Sequence, residues 1–480
     1  MNYRMIANMV GRLLLLEATL LLLPVAVSLI YGESSAWALL VAVGVALALG
    51  CTLALLIRAR DKTIYAKEGF VIVSLSWILL SAVGALPFVL SGEIPSYVDA
   101  FFETVSGFTT TGASVAADVT AFSHGILFWR SFTHWIGGMG VLVLMMALIP
   151  TGTGRTIHVM RAEVPGPIVG KLVPRLKETA KILYLIYLCL TIAEILILWV
   201  AGMPLFDSFI HAFGTAGTGG FGMQPDGVGG YSPVIQWIIT SFMLLFGINF
   251  NLFYLLLIRS VRPAVTNREL WVYLGVFVVA TGVITADTLP LYESFGETVR
   301  HAAFQVSSLV TTTGFATVDF NLWPGLSRGV IFLLLFVGGC AGSTAGGLKI
   351  SRVMLLGKTV ARELKRLVHP RSVGVVRLEG KRVEEETVHS TAAYFILYMA
   401  LIGVVFFLLS FEPFSLETNL TATITCLNNV GPGLGDVGPM GGFGAYSDGA
   451  KVLLSVTMLL GRLEIYPLVL TLLPATWIKE

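Results

Sequence analysis

Long apolar runs separated by short polar stretches dominate the chain. A helix crossing a bilayer needs about 20 mostly apolar residues, because no water satisfies its backbone inside hydrocarbon. Such runs lie near Leu13–Tyr31, Ala36–Ile57, Phe70–Leu90, Gly125–Leu148 and Ile182–Val200. Others lie near Val234–Ile258, Leu270–Ala286, Val330–Gly346, Ala392–Leu409 and Val452–Leu473. The pattern predicts about ten spans and both termini in one compartment. The first run is no cleavable signal peptide: a second follows at once, with no A-x-A-like site between them.

Between certain pairs of spans sits a segment too short to cross, ending in small and hydroxyl residues around a glycine. The first reads from Phe102 and Glu103 through Thr109, Thr110, Thr111 and Gly112 to Ser114. The second holds Thr218, Gly219, Gly220 and Phe221, and the third Thr312, Thr313, Gly314 and Phe315. The fourth holds Asn428, Asn429, Val430, Gly431 and Pro432. Aligned on the glycine, the units stand 108, 94 and 117 residues apart, each flanked by spans. A quadruplicated span, short helix, glycine turn and span predicts a pseudo-fourfold assembly around an axis. The units are placed at 67–152, 176–262, 266–368 and 386–480, after a leading helix pair at 1–66.

The physics of that axis is specific. Irregular backbone at membrane depth is tolerated only where it lines a polar cavity or is buried in protein. The last carbonyls of a half-helix carry the negative end of its dipole, which favours a cation. Glycine lets the following backbone turn successive carbonyls inward. Four such loops form rings of oxygens that replace the hydration shell of K⁺, and the threonines add hydroxyls without charge. The expected ion ligands are Thr110, Thr111, Gly112, Gly219, Gly220, Thr312, Thr313, Gly314, Asn429, Val430 and Gly431. No carboxylate ring accompanies them, which argues against a divalent ion. Glycines that merely pack helices are the alternative, and four clusters in register count against it.

Composition narrows the field further. Only 12% of the 480 residues are charged, half of what a soluble domain carries, and mean hydropathy is +0.83. The net charge of +2 excludes disorder and nucleic-acid binding as organising principles. Cys51, Cys189, Cys340 and Cys426 are scattered, and the histidines form no ligand-spaced pair. Neither a thiolate metal site nor an enzyme is expected.

Lysine and arginine set the orientation. Arg4, Arg12, Arg58, Arg60, Lys62 and Lys67 lie on one side, followed by Arg155, Arg161, Lys171, Arg175, Lys177, Arg259, Arg262, Arg268 and the dense stretch Lys349–Arg382. Opposite them stand acids such as Glu93, Asp118, Asp226, Glu297, Glu417 and Asp436, with Arg300, Arg328 and Lys451 as exceptions. The basic side is expected to be cytoplasmic, with both termini on it.

The eighth run is interrupted by Gly338, Gly339, Cys340, Ala341, Gly342, Ser343, Thr344, Ala345, Gly346 and Gly347. Each glycine disfavours helix by about 1 kcal/mol relative to alanine, so an irregular intramembrane stretch is expected; a close-packed glycine helix face is the alternative. Arg462 lies deep in the last run, where a charge is costly and usually functional. Glu464, two residues on, points to another face, and an ion pair with Glu194 or Glu103 is the bland alternative. Two G-x-G-x-x-G strings, from Gly217 and from Gly433, follow no soluble strand and fail as dinucleotide sites. The stretch Gly342–Gly347 misses the G-K-[ST] ending of a phosphate loop. Asn419 heads a sequon but belongs to the fourth short helix, and is expected to be unglycosylated. Arg130 and His134 are read as anchors at the outer interface.

On these residues the chain resembles the Trk/Ktr/HKT superfamily of potassium transporters over nearly its whole length, most closely its bacterial Trk branch. Its four loops carry one key glycine each, matching Gly112, Gly220, Gly314 and Gly431, and the leading pair Leu13–Ile57 matches the branch's extra helices. Four glycines resemble potassium-selective members, whereas a serine in the first loop marks sodium-preferring plant relatives. Two positions depart from a uniform ring: Gly219, where loops one and three have Thr111 and Thr313, and Asn429-Val430 in loop four. The resemblance implies K⁺ uptake with no cofactor on this chain. It also implies an inner-membrane homodimer regulated by a cytosolic TrkA-like ring of nucleotide-binding subunits. Carried over, the family's gating loop falls on Gly338, Gly339, Gly342, Ser343, Thr344, Gly346 and Gly347, and its barrier arginine on Arg462. The basic segments are docking surfaces for that ring or for inner-leaflet lipid. A sodium or unselective pathway is the first rival; a secondary transporter of another class is the second, and the absence of inverted repeats counts against it.

Overall fold

The computed structural model describes residues 1–56, 65–116, 118–140, 176–224, 227–372 and 374–477. Arg58, Arg60, Lys62, Arg155, Arg161, Lys171, Arg175 and Asp226 lie outside the described residues, as does the inner end of the run Gly125–Leu148. Helices make up the fold, as the apolar runs demand. Among the described residues the only strands are the two-residue pair Arg377–Leu378 and Lys381–Arg382, joined through Gly380 at φ +74°.

The leading helices Tyr3–Ile30 and Ser35–Cys51 pack through small residues. A Cβ on Gly11 would meet the backbone of Ala54 at 2.6 Å, and one on Gly50 the side chain of Leu15 at 2.9 Å. Without a hydrophobic drive between helices in lipid, such close backbone approach supplies the contact. Leu13, Leu21, Leu39 and Ala46 are buried, whereas Leu22, Leu40 and Leu47 are exposed, as lipid-facing positions are.

Among the described residues, six helices are long and apolar enough to span: Tyr3–Ile30, Ser35–Leu55, Lys67–Ser91, Ala180–Val200, Arg268–Leu291 and Glu385–Leu409. Four shorter helices take the remaining expected spans, and each stops early. His124–Gly138 ends at Met139, and Pro233–Phe246 meets Phe250–Leu257 at an 89° bend. Gly325–Leu334 runs into the glycine stretch, and Asp448–Arg462 breaks before Tyr466–Leu472. The continuous spans expected at Val234–Ile258 and Val452–Leu473 are therefore corrected. Gly247 and the capping Asn249 stop the first, and left-handed Glu464 and Ile465, at φ +54° and +67°, stop the second. We call these four the return helices.

Four helices fill the space ahead of the return helices: Tyr97–Phe108, Leu205–Gly217, Phe295–Val310 and Leu416–Asn428. Each starts with an acid in its first turn (Asp99, Asp207, Glu297, Glu417), which suits the positive end of the helix dipole. Three are capped by a serine: Ser96, Ser294 and Ser415 accept from the backbone N–H three residues on. We call these the pore helices. Their C-terminal halves are buried throughout, so the helices and the loops behind them descend into protein. Ion pairs tie neighbouring units together: Lys451 Nζ meets Asp99 at 2.5 Å, and Arg328 meets Glu417.

Candidate functional site

The four loops after the pore helices share one backbone solution. Thr110, Thr218, Thr312 and Asn429 hold φ of 55–56°, and two residues later Gly112, Gly220, Gly314 and Gly431 hold φ of +80°, +76°, +86° and +97°. The intervening N–H closes a helix-ending turn onto the carbonyl five residues back. Those bonds are Thr111 to Ser106 (2.9 Å), Gly219 to Gly214 (2.8 Å), Thr313 to Ser308 (2.7 Å) and Val430 to Thr425 (3.0 Å). A left-handed threonine is sterically unfavourable and costs about 1–3 kcal/mol, a strain that persists only where the surroundings fix it.

The loops converge, and they close a circuit. A Cβ on Gly112 would sit 2.0 Å from the carbonyl oxygen of Gly219, and one on Gly220 2.1 Å from that of Thr313. One on Gly314 would sit 2.3 Å from the oxygen of Val430, and one on Gly431 2.7 Å from that of Thr111. Each glycine thus abuts the carbonyl that precedes the next loop's glycine, and the fourth returns to the first. All four glycines border one cavity.

Both departures from uniformity have physical causes. A Cβ on Gly219 would fall 2.3 Å from His134 Nδ1. The imidazole occupies that space, its Nδ1–H donating to the Gly107 carbonyl at 2.7 Å. In loop four the Asn429 amide donates to the Thr111 hydroxyl (2.9 Å) and the Met458 carbonyl (3.0 Å), bridging loops four and one. The hydroxyls of Thr109 and Thr111 lie 2.7 Å apart, and those of Thr311 and Thr313 2.8 Å.

Arg130 and His134 are not interface anchors: both are buried against the loops, which corrects the sequence expectation. Arg130 Nε meets Glu103 at 2.7 Å, and its guanidinium lies 3.5 Å from the Phe221 ring centroid. Glu103 in turn accepts from Ser114 Oγ and Val115 N–H, both at 2.9 Å, so one buried pair braces the outer ends of loops one and two. Sequence reading missed this pair because Arg130 and Glu103 are 27 residues apart on different helices. Asn419 is buried inside its helix, out of reach of a glycosyl group.

Below the loops lies the glycine stretch, and Gly338–Gly347 is in no helix. Its ends are pinned together by Gly338 N–H to the Leu348 carbonyl (2.6 Å) and Ile350 N–H to the Gly339 carbonyl (3.1 Å). Glu269 Oε1 accepts from Ala341 N–H (2.7 Å) and Ser351 N–H (3.1 Å), clamping the base. Gly346 N–H donates to the Thr312 hydroxyl at 2.7 Å, so the stretch touches the innermost threonine of loop three. Gly346 has no room for a side chain: its Cβ would lie 2.4 Å from the Asn428 carbonyl.

Arg462 reaches the same level from the other side. Its guanidinium donates to the Thr110 hydroxyl (3.3 Å), the Thr344 carbonyl (3.1 Å), and the Gly137 (2.5 Å) and Gly138 (2.7 Å) carbonyls. One cation therefore bridges loop one, the glycine stretch and the end of the first return helix. Of the two acids weighed as its partner, Glu194 and Glu103, Glu103 holds Arg130. Lys349 Nζ donates to the Ala345 carbonyl, and Arg352 pairs with Glu464.

The family model described as TrkH, a cation transport protein, matches residues 38–267 and 264–477. A Trk system potassium uptake protein TrkH from Salmonella typhimurium is 40% identical over 490 residues, covering 99% of this chain and 100% of the relative. The TrkG protein of Escherichia coli is 35% identical, over 98% of this chain and 97% of its own length. The crystal structure of the potassium transporter TrkH from Vibrio parahaemolyticus superposes over 100% of both chains, with a TM-score of 0.90 and 35% identity. With the family model, the relatives and the fold each matched over nearly the whole chain, this chain belongs to the TrkH family of cation transport proteins.

Proposed function

We propose that this chain takes up K⁺ across the bacterial cytoplasmic membrane through the constriction formed by Thr110–Gly112, Gly219–Gly220, Thr312–Gly314 and Asn429–Gly431. The closed circuit of glycine against carbonyl around four loops carries the reading. Backbone oxygens held at fixed spacing replace the water of a monovalent cation, and four pore helices direct their negative ends toward it. The potassium named in the relatives' descriptions favours K⁺ over Na⁺.

The stretch Gly338–Gly347 and Arg462 form the gate. The stretch stands directly beneath loop three, and the guanidinium adds a positive charge at the inner end of loop one, so a cation passes only when both move. The chain works as a homodimer with both termini cytoplasmic, in four pore units at 67–152, 176–262, 266–368 and 386–480. A cytosolic TrkA-like nucleotide-binding ring docks on the basic surface around Lys349–Arg382.

The test is K⁺-dependent growth of an uptake-deficient strain expressing this chain with and without the cytosolic partner, paired with reversal potentials in mixed K⁺ and Na⁺. Growth rescue at low K⁺ and a K⁺-like reversal potential are expected. Rescue without any K⁺ preference would establish an unselective cation pathway instead.

A further inference from the structure

The glycine stretch is seated in the break of a neighbouring helix. In an unbroken helix Phe250 N–H would donate to the Phe246 carbonyl and Asn251 N–H to the Gly247 carbonyl. Neither bond forms at the 89° bend. Phe250 N–H donates to the Gly342 carbonyl at 3.0 Å, and Cys340 N–H to the Gly247 carbonyl at 2.9 Å. The Thr344 hydroxyl donates to the Phe246 carbonyl at 3.3 Å, and Asn251 N–H turns to Asn249 Oδ1 at 2.9 Å. Of these four groups, the stretch satisfies three and a side chain within the break satisfies the fourth. The seat also fits glycine: a Cβ on Gly339 would meet the Gly247 carbonyl at 2.9 Å, and one on Gly342 would meet Asn249 Oδ1 at 3.0 Å.

Unpaired backbone groups at membrane depth cost several kcal/mol each. Two arrangements leave none of these four unpaired. Either the stretch is seated and the helix broken, or the stretch is withdrawn and the helix continuous, with Phe250 and Asn251 bonding back to Phe246 and Gly247. We infer that Phe246–Asn251 is the receptor for the gating stretch, that withdrawal is coupled to straightening of helix 233–257, and that Asn249 is the positioning residue of the broken form. This rests on reading Gly338–Gly347 as the gate. On withdrawal, Cys340 N–H, the Gly342 carbonyl and the Thr344 hydroxyl pass to water in the opened path.

The test compares K⁺ flux into vesicles for the full chain and four variants. These are Asn249→Ala, Asn251→Pro, a chain lacking Gly342–Gly346, and that shortened chain carrying Asn251→Pro. Proline suits the first turn of the short helix from Phe250 but clashes with the carbonyl four residues back in a continuous helix. Asn249→Ala should raise flux roughly tenfold and Asn251→Pro should lower it by about as much, each the equivalent of about 1.4 kcal/mol. The shortened chain should be open, and Asn251→Pro should be silent within it, which also shows that the proline chain folds. Spin labels at the exposed Ser241 and Leu257 read the bend directly. Their separation should lengthen toward about 24 Å in Asn249→Ala, the rise of 16 helical residues. If the shortened chain is open while Asn249→Ala changes neither flux nor distance, the coupling is wrong and the gate stands. A rise in flux without lengthening gives Asn249 a packing role only and equally overturns the coupling. If shortening the stretch raises no flux, the gate reading itself falls.

Discussion

In the constriction, one backbone conformation appears four times, with a left-handed residue two positions before a left-handed glycine. Immediately below it, the four return helices end in four different ways. The first stops at Gly138, the second turns through 89°, the third dissolves into Gly338–Gly347, and the fourth breaks at left-handed Glu464 and Ile465. On the proposed function, the contrast reflects two tasks. An ion on an axis must meet equivalent oxygens from every side, so each loop is bound to the same φ values even where the side chains differ. On the proposed gating, an obstruction on that axis has room for one occupant, so one repeat would supply the plug and the others what holds it: Arg462 from the fourth, the helix break from the second, the Gly137 and Gly138 carbonyls from the first.

The sharpest way to break the contrast is to attack the brace of the uniform layer. Arg130→Met strands the buried Glu103 carboxylate, and losing one partner of such a pair costs about 3–5 kcal/mol. Thermal inactivation of the purified protein should move down strongly, and an unchanged profile would mean that the pair carries no structural weight. Next comes the circuit itself. Gly112→Ser forces a side chain toward the Gly219 carbonyl at 2.0 Å and φ of +80°. Strain of about 1–3 kcal/mol, or roughly 5–150-fold, should appear as relaxed K⁺/Na⁺ discrimination in reversal potentials. Intact discrimination would remove Gly112 from the constriction.

The lower layer should respond in the opposite sense. Arg462→Ala deletes a cation and its bonds to the glycine stretch, so K⁺ flux should rise roughly tenfold, about 1.4 kcal/mol of barrier. A fall in flux at normal expression would contradict the barrier role. The smallest effect is expected away from both layers. Arg362 pairs with Glu385 at 2.7 Å on a solvent-exposed face, and exposed pairs contribute about 0.2–1 kcal/mol. Arg362→Ala should leave thermal inactivation and selectivity within error, and a large shift would assign that face a further role.

Much of the fold was legible because the membrane simplifies the code. Apolar runs of sufficient length, the glycine after each pore helix and the glycine-rich interruption follow from local requirements of backbone bonding and sterics. What stayed hidden involves partners far apart in the chain. Glycine at 219 makes sense only beside His134, and Asn429 only beside Thr111 and Met458, more than 300 and 29 residues away in turn. The bends at Gly247–Asn249 and Glu464–Ile465 were missed because the apolar pattern continues through them, and hydropathy registers length without direction.

The sequence by itself determined that this is a membrane chain with four glycine-bearing loops and one deep arginine, since the cost of polar backbone and charge in hydrocarbon is paid residue by residue. Tertiary structure alone decided which carbonyl each glycine meets, which segments Arg462 ties together, and where the helices break. Those outcomes depend on hydrogen bonds between distant segments, and such bonds exist only once the loops have been brought to a common axis.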